Sequence, residues 1–294
     1  MVHQNIERIL IFFFIHCFFT GAFAQDKRAL VIGVGKQIDS SWGKINGDKD
    51  IPYICTMLRD AGFSKIKTLE NEQATKDKIV ESLSELSRKC QRSDIVYIHF
   101  SGHGQQMTDI HGDEFSDRWD ECWIPYDAFS RYSQSYNGSK HLTDDEIFFY
   151  INKISSKIGS DGKLLLVVDA CHSGDSFYDE NPEITRGTTR KFIIPNPSTN
   201  LRNDKIVNKT KYNNWIMLSA CKEYEVNAEL KDPIAGKLTY ALYILLRNNK
   251  TYMNESLLYK IKLFMNKHSG VIHQTPEYGG DVKAFNISEI FIKK

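Results

Sequence analysis

Apolar and polar positions follow two rhythms along this chain. Short runs that are apolar almost throughout, Lys27 to Gly35, Asp94 to Ser101 and Lys163 to Asp169, end in Gly, Ser or Asp. Runs of that length and composition are buried strands. Ser64 to Leu69 and Asn214 to Ser219 read as further strands, with a short one near Cys122 to Ile124. Between them the spacing becomes helical. Asp50 to Ala61 carries Ile51, Ile54, Cys55 and Leu58 on one side and is stopped by Gly62. Thr75 to Cys90 presents Ile79, Leu83 and Leu86, with Thr75 as its cap. Thr143 to Ile154, capped by Thr143, then Leu238 to Asn248 and Glu255 to Lys267 complete the helices, and Val282 to Ile292 reads as an extended end. Strands alternating with helices predict an α/β fold with a mostly parallel central sheet and helices on both faces.

Two segments break the alternation. Arg8 precedes an apolar run, Ile9 to Phe19, and then Gly21-Ala22-Phe23-Ala24. A charged start, a short apolar centre and an A-x-A end read as a secretory signal peptide over residues 1–24, cleaved after Ala24. The run is shorter than the roughly 20 apolar residues that span a bilayer. The expectation is a secreted or periplasmic chain with no membrane anchor after signal removal. The second segment, 175–212, holds Pro182, Pro195 and Pro197 among many polar and basic residues and has no periodicity. Long loops within compact domains tend to be functional.

Composition narrows the class. With 41% hydrophobic residues, 26% charged, 18 Gly and 7 Pro, the 294 residues describe a globular domain rather than a disordered or collagen-like one. A net charge of +1 gives no basic field for a phosphate backbone, so no nucleic-acid partner is expected. Beyond residue 24 lie Cys55, Cys90, Cys122, Cys171 and Cys221. Five is odd, no two are close, and at least one thiol is left over in a chain expected to be exported.

Candidate chemistry sits where such folds bind ligands, beyond the carboxyl ends of the strands. One strand runs into Ser101-Gly102-His103-Gly104 and another into Asp169-Ala170-Cys171-His172-Ser173-Gly174. If these strands are neighbours, His103 and Cys171 face one cleft. A nucleophilic Cys needs a base to become thiolate, and a His within reach supplies it. Gly102 and Gly104 let a substrate backbone approach and leave amide N–H groups for an oxyanion. His99, within a strand, reads as a packed core residue, and His111 as a solvated loop residue.

SGHG after one apolar strand and DACHSG after the next resemble the metacaspase branch of the caspase-like cysteine peptidases. The likeness continues through Asp50 to Leu58 and Ala61-Gly62-Phe63, the acidic stretch from Gly112 to Glu121, Ile124-Pro125-Tyr126-Asp127, and Ser219-Ala220, Ala228-Glu229 and Gly236 to Leu246. The caspase signature Q-A-C-[RQG]-G is not matched, since Asp169 stands at the Gln. The resemblance implies a caspase-like sandwich over residues 25–294. Residues 25–175 correspond to the large-subunit half and 213–294 to the small-subunit half. The length, polarity and basic residues of the 175–212 loop between them, Arg186, Arg190, Lys191, Arg202, Lys205, Lys209 and Lys211, suggest a processing region cut by the enzyme itself or by a partner, the alternative being a plain surface loop. The resemblance implies His103 as base, Cys171 as nucleophile, and the N–H groups of Gly104 and Cys171 as the oxyanion hole. His172 is not the dyad member.

For substrate binding, Asp169 lies two residues before Cys171, Ser101 lies two before His103, and the resemblance puts Asp50 in the same pocket. Two carboxylates and a hydroxyl match the planar donors of Arg and, less tightly, the ammonium of Lys. Peptide or protein substrates cut after Arg or Lys are therefore expected. Asp109, Asp113, Glu114, Asp117, Asp120 and Glu121 form an acidic stretch, and Asp144 and Asp145 open a helix. Carboxylate clusters suit calcium, and the resemblance implies ligands at Asp117, Asp144 and Asp145. The family's fourth ligand falls where this chain has Tyr178, flanked by Asp175 and Asp179. No Cys/His pair has zinc spacing, and no organic cofactor is expected. The competing readings are an inactive caspase-like binding module and a Cys-dependent acyltransferase or amidase.

Overall fold

The computed structural model describes residues 25–110, 112, 114, 117–171, 183–195, 197, 214–247, 250–270 and 272–293. Its first strand, β1 (Lys27–Gly33), pairs in parallel with β2 (Lys65–Glu70) on one side and β3 (Ile95–Ser101) on the other. β3 pairs with β7 (Lys163–Asp169), β7 with β8 (Trp215–Ser219), all parallel, and β11 (Glu277–Gly280) closes the edge antiparallel. The strand order is β11-β8-β7-β3-β1-β2. The expected mostly parallel sheet is present.

The strands are apolar on both faces because both faces are covered. Ala29, Val31, Tyr97, Leu165 and Val167 pack toward one side, with Ile54 and Leu58 of α1 (Asp50–Asp60), Leu238 and Leu242 of α4 (Lys237–Leu246), and Leu257 and Ile261 of α5 (Asn254–Lys267). Leu30, Ile32, Ile98, Phe100, Leu166 and Val168 pack toward the other, with Ile79 and Leu83 of α2 (Lys76–Lys89) and Ile147 and Ile151 of α3 (Asp144–Ile158). The two-residue period of the strands sorts their side chains between these layers.

Local signals set the helix starts. The Thr75 hydroxyl accepts from the Lys78 N–H, and Thr143 with Glu146 forms a reciprocal capping box. α3 runs to Ile158, a turn beyond the expected Ile154. A small sheet of β4 (Gly104–Thr108), β5 (Trp119–Trp123) and β6 (Leu142–Thr143) stands beyond the end of β3, and β9 (Glu229–Lys231) and β10 (Ile234–Gly236) form a hairpin. The sequence reading of Val282 to Ile292 as an extended end is corrected. The edge strand lies earlier, at 277–280, and Ile287–Phe291 is a 3-10 turn whose Ile287, Ile290 and Phe291 fill the core beneath β1 and β3. All five cysteines among the described residues are buried free thiols. Among the described residues no helix is long and apolar enough to cross a membrane. The signal segment, 1–24, lies outside the described residues.

Candidate active site

The sheet reverses direction of growth at β1 and β3, and the loops beyond these strand ends build a cleft. β3 and β7 are neighbours in register, Ser101 opposite Asp169. His103 and Cys171, each two residues further along, therefore follow the same edge of the sheet. His172 and residues 173–182 lie outside the described residues, as does His111.

His103 is buried, and its ring stacks on Trp42 with centroids 5.1 Å apart. Its Nε2 lies 2.7 Å from the Gly43 carbonyl oxygen, an acceptor only, so Nε2 carries the proton. Nδ1 is buried without a hydrogen-bond partner. Burial pushes the imidazole pKa down to about 4, so near neutral pH the ring is uncharged and Nδ1 has a free lone pair. The Cys171 thiol donates to the Glu225 carbonyl, and the Cys221 thiol turns toward the same oxygen at 3.6 Å. His99 is a packed residue, as expected, held between the Tyr97 hydroxyl at 2.9 Å and the Thr239 hydroxyl at 3.2 Å.

Asp50, Ser101 and Asp169 are also brought together, and all three are buried. Asp50 opens α1 without capping it. Its Oδ1 accepts from the Gly236 N–H at 2.8 Å, and its Oδ2 accepts from the Ser101 hydroxyl. Asp169 Oδ1 accepts from Asn227 at 2.8 Å, and Oδ2 accepts from the Thr239 N–H at 2.9 Å and its hydroxyl at 2.6 Å. A Cβ on Gly236 would collide with Asp169 Oδ2 and lie 2.6 Å from Arg186 Nη1, so this wall of the pocket requires glycine.

The pocket holds an arginine of the same chain. Arg186, one of the basic residues of the 175–212 loop, is fully buried. Its Nη1 donates to Asp50 Oδ2 at 2.7 Å, Ser101 Oγ at 2.5 Å and the Asp169 carbonyl at 3.2 Å, and lies 3.4 Å from Asp169 Oδ1. Its Nε donates to Glu229 Oε1 at 2.8 Å. Glu229 is the pocket residue that sequence reading missed. Its carboxylate also accepts from the Asn46 N–H at 2.8 Å. The available signal was an acidic residue placed next to Leu230 in a stretch otherwise fit for the interior. Burial opposes the charge on Arg186, but Asp50, Asp169 and Glu229 together raise its pKa. Burial likewise opposes the charge of Asp169, yet Arg186 and its hydrogen bonds hold that carboxyl below its ordinary range. For Asp50 burial, aided by the charge of Asp169, prevails and lifts the pKa to about 6.

The backbone around Arg186 is held as firmly. Its N–H donates to the Asn227 carbonyl at 2.8 Å, and the Ile184 carbonyl accepts from Glu229 N–H at 2.9 Å. Thr185 and Ala228 thus form an antiparallel bridge. The Arg186 carbonyl accepts from the Cys171 N–H at 2.8 Å. A Cβ on Gly187 would collide with the Cys171 carbonyl oxygen and lie 3.1 Å from its Cβ. Beyond it, Phe192 bridges to Met107 of β4 and sits in a small cluster with Trp42 and Ile124. Gly104, the other expected oxyanion donor, is the first residue of β4, directly after His103.

Several of the acidic residues converge beside the Cys171 end of the sheet. Among the described residues, carboxylate oxygens of Asp117, Glu121 and Glu223 lie within 4.8 Å of one another. Asp144, Glu121 and Glu223 line a depression floored by Trp123, Leu166 and Val168 that reaches Cys171. Asp144 Oδ1 is buried without a hydrogen-bond partner, and burial with the neighbouring Glu121 raises the carboxyl to about 7. Of the residues expected as ligands, Asp117 lies in this carboxylate group with Glu121 and Glu223, and Asp144 lines the adjoining depression. Asp175, Tyr178 and Asp179 lie outside the described residues.

A family model of the caspase domain matches residues 26–282. Metacaspase-7 of Arabidopsis thaliana is 27% identical over 175 residues, 56% of this chain and 39% of that protein. Metacaspase-1A of Aspergillus niger is 33% identical over 162 residues, 51% of this chain and 36% of that one. The chain thus matches under half the length of these curated relatives. Among solved structures, a protein from Geobacter sulfurreducens superposes with a TM-score of 0.61 at 22% identity, covering 92% of this chain and 97% of that one. Caspase-1 from Spodoptera frugiperda gives 0.54 at 13% identity, covering 87% and 86%. These structural likenesses establish the caspase-like sandwich that the sequence motifs led us to expect.

Proposed function

The chain belongs to the caspase domain family, and from that premise we propose that it is an exported cysteine endopeptidase that cuts after Arg and, less tightly, after Lys. The observation that carries the reading is Arg186, whose guanidinium meets Asp50, Ser101, Asp169 and Glu229 while its carbonyl oxygen takes the Cys171 N–H. Side chain and reacting carbonyl are both held as those of a substrate would be. An acidic residue in this pocket would meet three carboxylates with no cation, which burial makes costly.

The steps follow from the atoms present. His103 Nδ1 removes the Cys171 Sγ proton. The thiolate sulfur bonds to the carbonyl carbon of the residue seated in the pocket, and the oxygen becomes an oxyanion facing the Cys171 N–H. His103 gives its proton to the leaving amine as the peptide C–N bond breaks. A water then attacks the thioester, with His103 as base, releasing a carboxylate and restoring the thiol. The Gly43 carbonyl fixes the imidazole so that Nδ1, not Nε2, makes these transfers.

On this reading the bond between Arg186 and Gly187 is the chain's own first substrate. Its cleavage is the processing step expected for the 175–212 loop. Before it, Arg186 blocks the pocket, and the chain is a zymogen.

Calcium fits the acidic depression. Asp117, Glu121, Glu223 and Asp144 offer only hard oxygen donors, and the lone buried Asp144 oxygen lacks a partner. These residues would hold the ion near Cys171, where it would neutralise their charge. Export rests on the 1–24 segment alone.

The test is a peptide series with Arg, Lys or Asp at the cleaved position, assayed with and without calcium and with Cys171→Ala as control. Rapid cleavage after Arg and none after Asp is the expected result. Cutting after Asp would overturn the pocket assignment, and transfer of the acyl group to added amine in preference to water would identify an acyltransferase.

A further inference from the structure

Residues 183–186 lie along the 227–229 segment, bridged antiparallel at Thr185 and Ala228, so they report on more than the pocket for Arg186. Counting back from Arg186, Thr185 is buried and Ile184 turns its side chain outward, 43% exposed. Glu183 turns inward again. Its side chain is only 8% exposed and lies against Lys237, which is fully buried at the start of α4. Glu183 Oε1 accepts from Lys237 Nζ at 3.2 Å and from the Gly270 N–H at 3.0 Å. Oε2 accepts from the Ile272 N–H at 3.2 Å. Both carboxylate oxygens are thus met, by one buried ammonium and two amides of the segment that follows α5.

This pocket has walls that belong to the fold and not to the loop that fills it. Lys237 is anchored by α4, where its ammonium also reaches Ser269 Oγ at 3.3 Å. Gly270 permits the approach, since a Cβ there would lie 3.3 Å from the Glu183 carboxyl carbon. A neutral side chain in this position would leave a buried ammonium without its counter-ion, and a basic one would add a second cation. Charge-assisted bonds to a carboxylate are the stronger kind, and here three converge.

We propose that Lys237 and the Gly270 and Ile272 amides form a second specificity pocket for a carboxylate, so that the enzyme prefers Glu three residues before the cleaved Arg or Lys. The substrate class is then an acidic-x-x-basic segment, of which Glu183-Ile184-Thr185-Arg186 is the built-in example. Of the two positions between them, the one held by Ile184 turns to solvent and carries no demand, while the one held by Thr185 is buried. This inference rests on the reading of the chain as a peptidase that cuts after Arg.

The experiment supplies peptides in trans to the full chain after self-processing. Coumarin amides of Glu-Ile-Thr-Arg, Gln-Ile-Thr-Arg and Lys-Ile-Thr-Arg are compared by kcat/KM. Glu is expected to exceed Gln by about 10-fold and Lys by more. Lys237→Gln is expected to shrink the Glu-to-Gln ratio to within about 2-fold, and Lys237→Glu to favour the Lys peptide. The wild-type comparison stands by itself should either variant fail to fold. Equal cleavage of the Glu and Gln peptides by the wild-type enzyme overturns the pocket while leaving cleavage after Arg intact. Failure to cut any Arg peptide, in a chain that cuts others, overturns the underlying reading and this one with it.

Discussion

The Cys171 N–H donates a 2.8 Å hydrogen bond to the carbonyl oxygen of Arg186. That one contact ties the Arg186 segment to the thiol-bearing strand end, and on the proposed reading it presents the Arg186–Gly187 peptide bond to Cys171. Most of the expected behaviour of the protein follows from it.

On the proposed reading, removing the Cys171 thiol removes the nucleophile. Cys171→Ala is expected to abolish turnover of an Arg peptide, and His103→Ala to reduce it roughly 10²–10⁴-fold. Steady-state rates on purified variants check both. Wild-type turnover by Cys171→Ala would mean that another group does the chemistry.

Self-processing is expected between Arg186 and Gly187. Intact-mass and peptide mapping of active protein should find a new carboxyl end at 186. Cys171→Ala should stay whole, and Arg186→Ala should lose this cut. An uncut chain at full activity would show that the seated arginine is no barrier.

Arg186 also neutralises three buried carboxylates. In a Cys171→Ala background, which prevents cutting, Arg186→Ala is expected to cost about 3–5 kcal/mol in urea unfolding, because it leaves those charges unpaired. A small guanidinium compound such as benzamidine should bind the emptied pocket and return part of that loss. No stabilisation by benzamidine would argue that the cavity is not a cation pocket.

Acid should weaken substrate capture before it disables the base. With an arginine seated in the pocket, as Arg186 is here, burial lifts the Asp50 carboxyl to about 6 and lowers the His103 imidazole to about 4. As the pH falls through about 6, Asp50 takes a proton and loses its charge toward the substrate arginine, so kcat/KM for Arg peptides falls. His103 remains neutral there and still able to accept a proton. Asp50→Asn should lower kcat/KM at neutral pH and remove the step near 6. A profile unchanged by that substitution would assign the step elsewhere.

Calcium binding is expected to depend on the cluster that the fold assembles. Isothermal titration should show binding to the wild-type chain that is lost in Asp117→Asn combined with Glu223→Gln. Asp145→Asn should bind as the wild type does. Loss of binding only in Asp145→Asn would restore the ligand set expected from the sequence.

The sequence by itself determined the layers and the strand ends. Apolar runs such as Lys163 to Asp169 must be buried on both faces, and the helical spacing of Asp50 to Ala61 and Thr75 to Cys90 supplies the covers. Those are local patterns, set by the periods of strand and helix, and they are legible in one dimension. The SGHG and DACHSG segments marked the candidate edge for the same reason, since each begins at the end of its own strand. Only the tertiary structure decided what meets across the cleft. Glu229 is 43 residues from Arg186, Asp50 is 136, and Glu183 reaches amides 87 and 89 residues away. Contacts of that range leave no periodic trace, because they depend on how loops from separate strand ends converge. The 175–212 loop showed its charge and its lack of pattern in the sequence, but which of its basic residues enters the pocket was fixed by the three carboxylates waiting there. The acidic residues likewise could be counted along the chain, yet Glu223 joins Asp117 and Glu121 only once β5 and the loop after β8 are brought together.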